Sequence, residues 1–165
     1  MVTIRQSQIE DLHEIMKTYA IARSFMAAHG NPKQWGLTNL PPEELIRADI
    51  TAGKSYLCID NDEIAGVFYY DQGYDIEPTY RKIEDGSWMD DSPYGVIHRI
   101  AGNGKAKGIA HAAIRWACEQ CSHLRIDTHP ENIVMQNLLK KEGFMYRGII
   151  HVFEDNDPRL AYEHP

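Results

Sequence analysis

From Ile97 to Ala113 the chain reads I-H-R-I-A-G-N-G-K-A-K-G-I-A-H-A-A: an apolar β-prone run, a small-residue loop with two lysines, and a helix opening at Gly108. A strand that ends in such a loop leaves main-chain N–H groups pointing outward, and the positive end of the following helix favours an anion placed there. Gly108 and Ala110 add little bulk, so a ligand can approach the backbone closely. The same passage would also serve as a solvated turn with a helix cap. Lys105 and Lys107, two bases in a chain of net charge −7, weigh toward the anion site.

Two common phosphate motifs do not match the passage. Gly104-Lys105 is followed by Ala106 where a Walker loop needs Ser or Thr, and the glycines at 102, 104 and 108 do not space as G-x-G-x-x-G. At 165 residues and 43% hydrophobic content the chain fits one domain with a core and a cleft. Its acidity argues against a nucleic-acid binder, whose footprint is a basic face. No apolar run reaches membrane-spanning length. Cys58, Cys118 and Cys121 are expected as reduced thiols of a cytoplasmic protein, because the Cys118/Cys121 pair falls at a helix end where no dipole stabilises a thiolate.

Patterning predicts a strand over Val2 to Arg5 and a capping box from Ser7 to Glu10. A helix follows with Ile9, Leu12, Ile15, Met16 and Tyr19 on one face, fading near Gly30. Pro41-Pro42-Glu43-Glu44 opens a second helix that Gly53 closes. Ser55 to Ile59 and Ile64 to Tyr70 read as a hairpin around Asp60-Asn61-Asp62-Glu63. A long connection, 71–94, leads to a strand over Val96 to Ala101, a helix from Gly108 to about Cys121 and a strand over Leu124 to Thr128. A helix from Pro130 to Lys141, a strand from Phe144 to Phe153, the turn Asp155-Asn156-Asp157-Pro158 and a strand near Leu160 to Glu163 complete the order. The strand-helix-strand passage from 96 to 128 favours a parallel pair with a crevice at its carboxyl end.

In order and spacing these residues resemble the GNAT superfamily of N-acyltransferases. Lys105-Ala106-Lys107-Gly108-Ile109-Ala110 matches the family's Gln/Arg-x-x-Gly-x-Gly/Ala loop, with lysine first. Asn132 to Leu139, followed by Gly143-Phe144, resembles Asn-x-x-Ala-x-x-Leu-Tyr with its Gly-Phe pair, and Ile4-Arg5 with Asp11 fits the usual start. The resemblance spans nearly the whole chain. It implies one α/β domain over 1–165, with a mixed, mostly antiparallel sheet of about six or seven strands, a central parallel pair and about four flanking helices. It implies acetyl-coenzyme A as cosubstrate, held by the amides of Lys105, Ala106, Lys107, Gly108, Ile109 and Ala110. The strand edge at Ile100 and Ala101 would pair with the pantetheine arm, and Asn132 and Lys141 would contact the cofactor from their helix. No metal is implied. The acceptor is an amine, with a cationic one favoured by charge; a homodimer is compatible with the family.

For the chemistry, the resemblance makes the Ile100 N–H an oxyanion donor. The family's frequent tyrosine acid falls at Leu139, which cannot donate a proton. Tyr162 on the last strand is one replacement, against a packing role on the sheet. His98 shares strand parity with Ile100 and is a candidate proton acceptor, against a hydrogen-bonded structural role. His129 reads as a cap for the helix after it, and Asp127 as a support for the loop before Asn132. Eight scattered histidines show no metal-ligand spacing. The connection 71–94 holds seven acids against two bases, with Tyr74, Tyr80, Trp88 and Tyr94. It reads either as a lid that receives a cationic amine or as an acidic loop pinned by its aromatics. Gln34-Trp35 lies where an acceptor wall would form. An acyl-coenzyme A binding or sensing domain without chemistry, and a different nucleotide binder, stand as the competing readings.

Overall fold

The computed structural model describes residues 1–28, 41–152 and 157–165. Among these the strands are β1 Thr3–Gln6, β2 Ser55–Asp60, β3 Glu63–Gly73, β4 Tyr94–Gly102, β5 Leu124–Thr128, β6 Met145–His151 and β7 Pro158–His164. The α-helices are α1 Leu12–Ala28, α2 Glu43–Thr51, α3 Ile109–Gln120 and α4 Ile133–Lys141. The strands hydrogen-bond in the order β1-β2-β3-β4-β5-β7-β6, and β4 with β5 forms the parallel pair. This is the mixed, mostly antiparallel architecture expected from the sequence. Gln34-Trp35 and the Asp155-Asn156 part of the last turn lie outside the described residues.

By packing, the chain divides into two compact units, residues 1–70 with 98–116 and residues 71–97 with 117–165. In the first, Leu12, Ile15, Tyr19 and Ala22 of α1 and Ile46 and Ile50 of α2 close a core with Leu57, Val67 and Ala101. Burying each large aliphatic side chain contributes about 1.5–3 kcal/mol. Strand alternation sends Tyr56 and Phe68 to the other face, where they meet Trp116 of α3 at 4.6 and 5.6 Å between ring centres. The β2–β3 hairpin turns on Asn61 and Asp62, whose φ of +51 and +61° suit these residue types in a tight two-residue turn.

The first capping interaction lies one residue later than its sequence pattern implied. The Gln8 N–H donates to the Asp11 carboxylate at 2.8 Å, and Arg5 reaches the same carboxylate at 2.9 Å. Ser7 is drawn instead to β2, its N–H on the Ser55 carbonyl and its hydroxyl against the Ser55 hydroxyl, both at 2.8 Å.

In the second unit β7 pairs with β5 on one side and β6 on the other. Leu124, Ile126, Leu139, Phe144, Ile150, Ala161 and Tyr162 are buried there. Helix α4 begins at Ile133 rather than Pro130, because the Asn132 side chain accepts the Met135 N–H at 3.1 Å and so caps it. His129 closes the preceding turn, its Nδ1 accepting the Glu131 N–H at 3.1 Å. Glu163, fully buried, takes the Met89 N–H at 2.8 Å and lies 2.6 Å from His123, 3.1 Å from Arg125 and 3.2 Å from Arg147. A buried carboxylate is tolerated only with such compensation.

Candidate functional site

The loop after β4 has the build of an anion cradle. Asn103 anchors it, its N–H on the Ala65 carbonyl at 3.1 Å and its side-chain amide on the Ile64 carbonyl at 2.8 Å. The Lys105 N–H turns back to Asn103 Oδ1 at 3.0 Å, so that amide is taken by the loop itself. Gly108 has φ +75°, a left-handed conformation that a side chain would strain, and a Cβ there would meet nothing within 4 Å. The first ladder bond of α3 runs from the Ala112 N–H to the Gly108 carbonyl, so the amides of Ile109 and Ala110 precede the helical ladder. Ile109 is buried, and a Cβ on Gly66 would come within 2.5 Å of its side chain, so this contact pins the helix start to β3. Lys105 and Lys107 stay exposed, Lys105 lying 3.5 Å from Glu63. An open glycine, a short run of helix-start amides and two nearby cations fit a pyrophosphate group.

Just before this loop β4 carries one residue of unusual backbone conformation. Arg99 has φ +53°, whereas the other non-glycine residues described with positive φ are all Asn or Asp in turns and loops. An arginine in this region costs about 1–2 kcal/mol unless its surroundings hold it. Three elements of the first unit do so. Asp49 of α2 forms a short ion pair with the guanidinium, the Tyr69 ring of β3 lies 4.9 Å beneath it, and the Tyr19 hydroxyl of α1 donates to the Arg99 carbonyl at 3.0 Å. Burial pushes the Asp49 carboxyl up, opposed by Arg99, and pushes the Tyr19 phenol far up.

This residue also bears on the placement expected for His98. A left-handed residue at 99 stands between His98 and Ile100, so regular strand alternation does not by itself fix their common face. His98 lies with Arg99 against Tyr69, its ring 5.6 Å from the tyrosine ring. Ile100 is half-buried, and Ala101 belongs to the core.

Sequence reasoning missed Arg99, Asp49 and Tyr19 as a group. One signal was present: Asp49 stands between Ile46 and Ile50 on the buried stripe of α2, and a carboxylate there requires a partner.

In the second unit, Asn132 is the cap of α4, Lys141 is exposed at its last turn, and Leu139 is fully buried. Tyr162 is 2% exposed and packs edge to face on Tyr146 at 5.9 Å, and burial raises its phenol. Asp127 accepts a 2.6 Å bond from the buried Tyr80 hydroxyl, which ties it to the 71–94 connection. Trp88 donates to the Tyr80 carbonyl at 2.8 Å, and Trp88 and Tyr94 flank Arg125 at 4.4 and 4.2 Å. Three of the four aromatics of that connection are therefore packing residues, Trp88 and Tyr94 holding the protein's own arginine and Tyr80 packed on both, and Tyr74 is the exposed one. Among the described residues no group of His, Cys, Asp or Glu is placed to hold a metal ion, and no helix is long and apolar enough to cross a membrane.

No family model and no curated protein sequence matches the chain. Solved structures do. A GNAT family acetyltransferase from Streptococcus agalactiae is similar over 99% of this chain and 94% of its own, at 29% identity and a TM-score of 0.88. A GNAT family acetyltransferase from Bacillus cereus aligns over 99% of this chain and 96% of its own, at 17% identity and a TM-score of 0.62. The ribosomal-protein-S18-alanine N-acetyltransferase from Escherichia coli covers 100% of this chain and 94% of its own, at 12% identity and a TM-score of 0.66. The last two likenesses are of fold alone.

Proposed function

Because this chain belongs to the GNAT superfamily of acetyltransferases, we propose that it is an acetyl-coenzyme A dependent N-acetyltransferase acting on a primary amine of a small molecule or peptide. The observation that carries the proposal is the open amide run around Gly108 directly after a strand with a left-handed residue at Arg99. Acetyl-coenzyme A, when bound, supplies an activated acyl group that a neutral amine attacks with release of the thiol.

In this reading the amides of Ala106 to Ala110 hold the pyrophosphate, and Lys105 and Lys107 add attraction without fixed geometry. Lys105 contributes its side chain, since its own amide is bonded to Asn103. The β4 edge at Ile100 and Ala101 offers peptide-like donors and acceptors to the pantetheine arm. Asn132 and Lys141 are proposed contacts from α4. The Ile100 N–H faces the developing oxyanion, where one well-placed donor is worth about a hundredfold to a thousandfold in turnover. His98 is the proposed acceptor of the amine proton, and Tyr162 the proposed donor to the leaving thiolate. A net charge of −7 favours encounter with a cationic amine. Three free cysteines are consistent with a cytoplasmic setting.

A thiol-release assay across an amine panel, with products identified by mass, tests the activity, and calorimetric titration with acetyl-coenzyme A tests the cradle. Gly108→Glu is expected to abolish cofactor binding while the fold persists; unchanged affinity would refute the cradle. Tyr162→Phe is expected to lower turnover far more than cofactor affinity, and an equal loss of both assigns Tyr162 to packing. The fully buried Leu139, at the position where the family often has tyrosine, favours a second reading: a domain that binds or senses acyl-coenzyme A. Tight cofactor binding with no thiol release for any amine would establish that reading over the first.

A further inference from the structure

We propose that Tyr19, together with the Asp49–Arg99 pair, is a positioning device for the Ile100 N–H. This rests on the reading of that N–H as the oxyanion donor. The carbonyl of Arg99 and the N–H of Ile100 belong to one peptide group. A trans peptide is planar, with its C=O and N–H pointing in opposite directions. Whatever fixes the carbonyl therefore aims the N–H.

Tyr19 fixes that carbonyl. Its hydroxyl donates to the Arg99 oxygen at 3.0 Å, and the ring is 2% exposed within the core of the first unit, so the donor has little freedom. The bond also polarises the peptide, which makes the Ile100 N–H a stronger donor. The remaining freedom of the peptide is rotation about its neighbouring dihedrals, ψ of Arg99 and φ of Ile100, next to a backbone of φ +53° at Arg99. Asp49 and Tyr69 hold the Arg99 side chain from α2 and β3. One helix thus holds the peptide, a second helix and a strand hold the side chain of Arg99, and the N–H so aimed lies at the start of I-A-G, just upstream of the loop after β4.

Phe at this position keeps the ring and removes the hydroxyl that reaches the Arg99 carbonyl and the Arg99 side chain. Tyr19 is a positioning residue, since it acts through Ile100, and its removal should affect the developing charge more than the binding of the cofactor.

The test uses the full-length protein with isotope-labelled isoleucine backbone amides, the Ile100 and Ile109 resonances being identified by Ile→Val substitution at each. Ile109 reports on the cradle and Ile100 on the acyl group. With acetyl-coenzyme A as the probe, both resonances are expected to move in the natural protein. In Tyr19→Phe the Ile109 response should persist while the Ile100 response is at least halved. In turnover, Tyr19→Phe should lower kcat about tenfold with KM for acetyl-coenzyme A held within about twofold. Equal Ile100 responses in the two proteins, or parallel losses of kcat and cofactor affinity, would overturn the proposal. Should Tyr19→Phe fail to fold, Asp49→Asn is read in the same spectra for the same outcomes. If Ile109 and Ile100 are both silent in the natural protein, the cofactor reading itself fails, and the proposal with it.

Discussion

Each unit of the molecule holds one arginine between a carboxylate and aromatic rings, and the two arginines do different work. Arg99 meets Asp49 and the Tyr69 ring, while Arg125 meets Glu163 and the Trp88 and Tyr94 rings. Arg125 sits on β5 at a regular pairing position opposite Val96 and Glu163, its side chain 7% exposed. Arg99 sits at a left-handed position in β4, its side chain 18% exposed. The same three kinds of group therefore stabilise a regular strand in one place and hold a strained one in the other.

The carboxylates differ in the same sense. Glu163 has three cationic or titratable partners and a backbone N–H, the full compensation that a buried charge needs. Asp49 sits where burial pushes its carboxyl up. An acid raised on folding stabilises the fold below its ordinary range, and that contribution is lost as pH rises through the folded value. At neutral pH an ionised Asp49 is thus kept at some cost in stability, a pattern that belongs to function more than to packing.

The largest effect is expected from Glu163→Ala. Removing it leaves Arg125 buried without its carboxylate, a loss of about 3–5 kcal/mol that urea unfolding would measure. A loss below about 1 kcal/mol would mean that the cluster is not an anchor of its unit. A subtler effect separates the backbone from the side chain at position 99. Arg99→Ala and Arg99→Gly both remove the guanidinium from Asp49, but only alanine carries a Cβ into the left-handed region. Arg99→Gly should therefore unfold later than Arg99→Ala by about 1 kcal/mol. Equal midpoints would mean that residue 99 leaves the left-handed region once the guanidinium is gone, and the contrast between the two arginines would collapse.

The smallest effect concerns a third pair, Arg5 with Asp11, whose arginine is 47% exposed. The hydrogen bond from Arg5, against the opposing effect of burial, holds the Asp11 carboxyl below its ordinary value of 3.8. Its stabilisation is present above that value and is lost as pH falls through the lower folded value. Asp11→Asn should remove this part of the acid sensitivity and change stability by less than about 1 kcal/mol at neutral pH. A larger loss would place the exposed pair alongside the buried ones.

Much of the frame was legible in the chain. The β5 limits matched residue for residue, and the Asn61-Asp62 turn was visible because these residue types tolerate positive φ. Boundaries moved where a side chain found a distant partner: Ser7 left its capping box for Ser55 on β2. The start of α4 moved for a local reason, the cap made by Asn132. Trp88 and Tyr94 of the 71–94 connection could not be assigned from sequence, because their partner is Arg125, far along the chain.

By itself the sequence determined the order of elements and the small-residue loop between β4 and α3, since both depend on periodicity and on small residues acting over a few positions. Only the tertiary structure decided that His98 and Arg99 share Tyr69, that the Arg99 carbonyl is held from α1 and that its side chain is held from α2 and β3. No local propensity places an arginine at positive φ. Such a conformation persists only when contacts from elsewhere in the chain outweigh its strain, and those contacts exist only once the chain has folded.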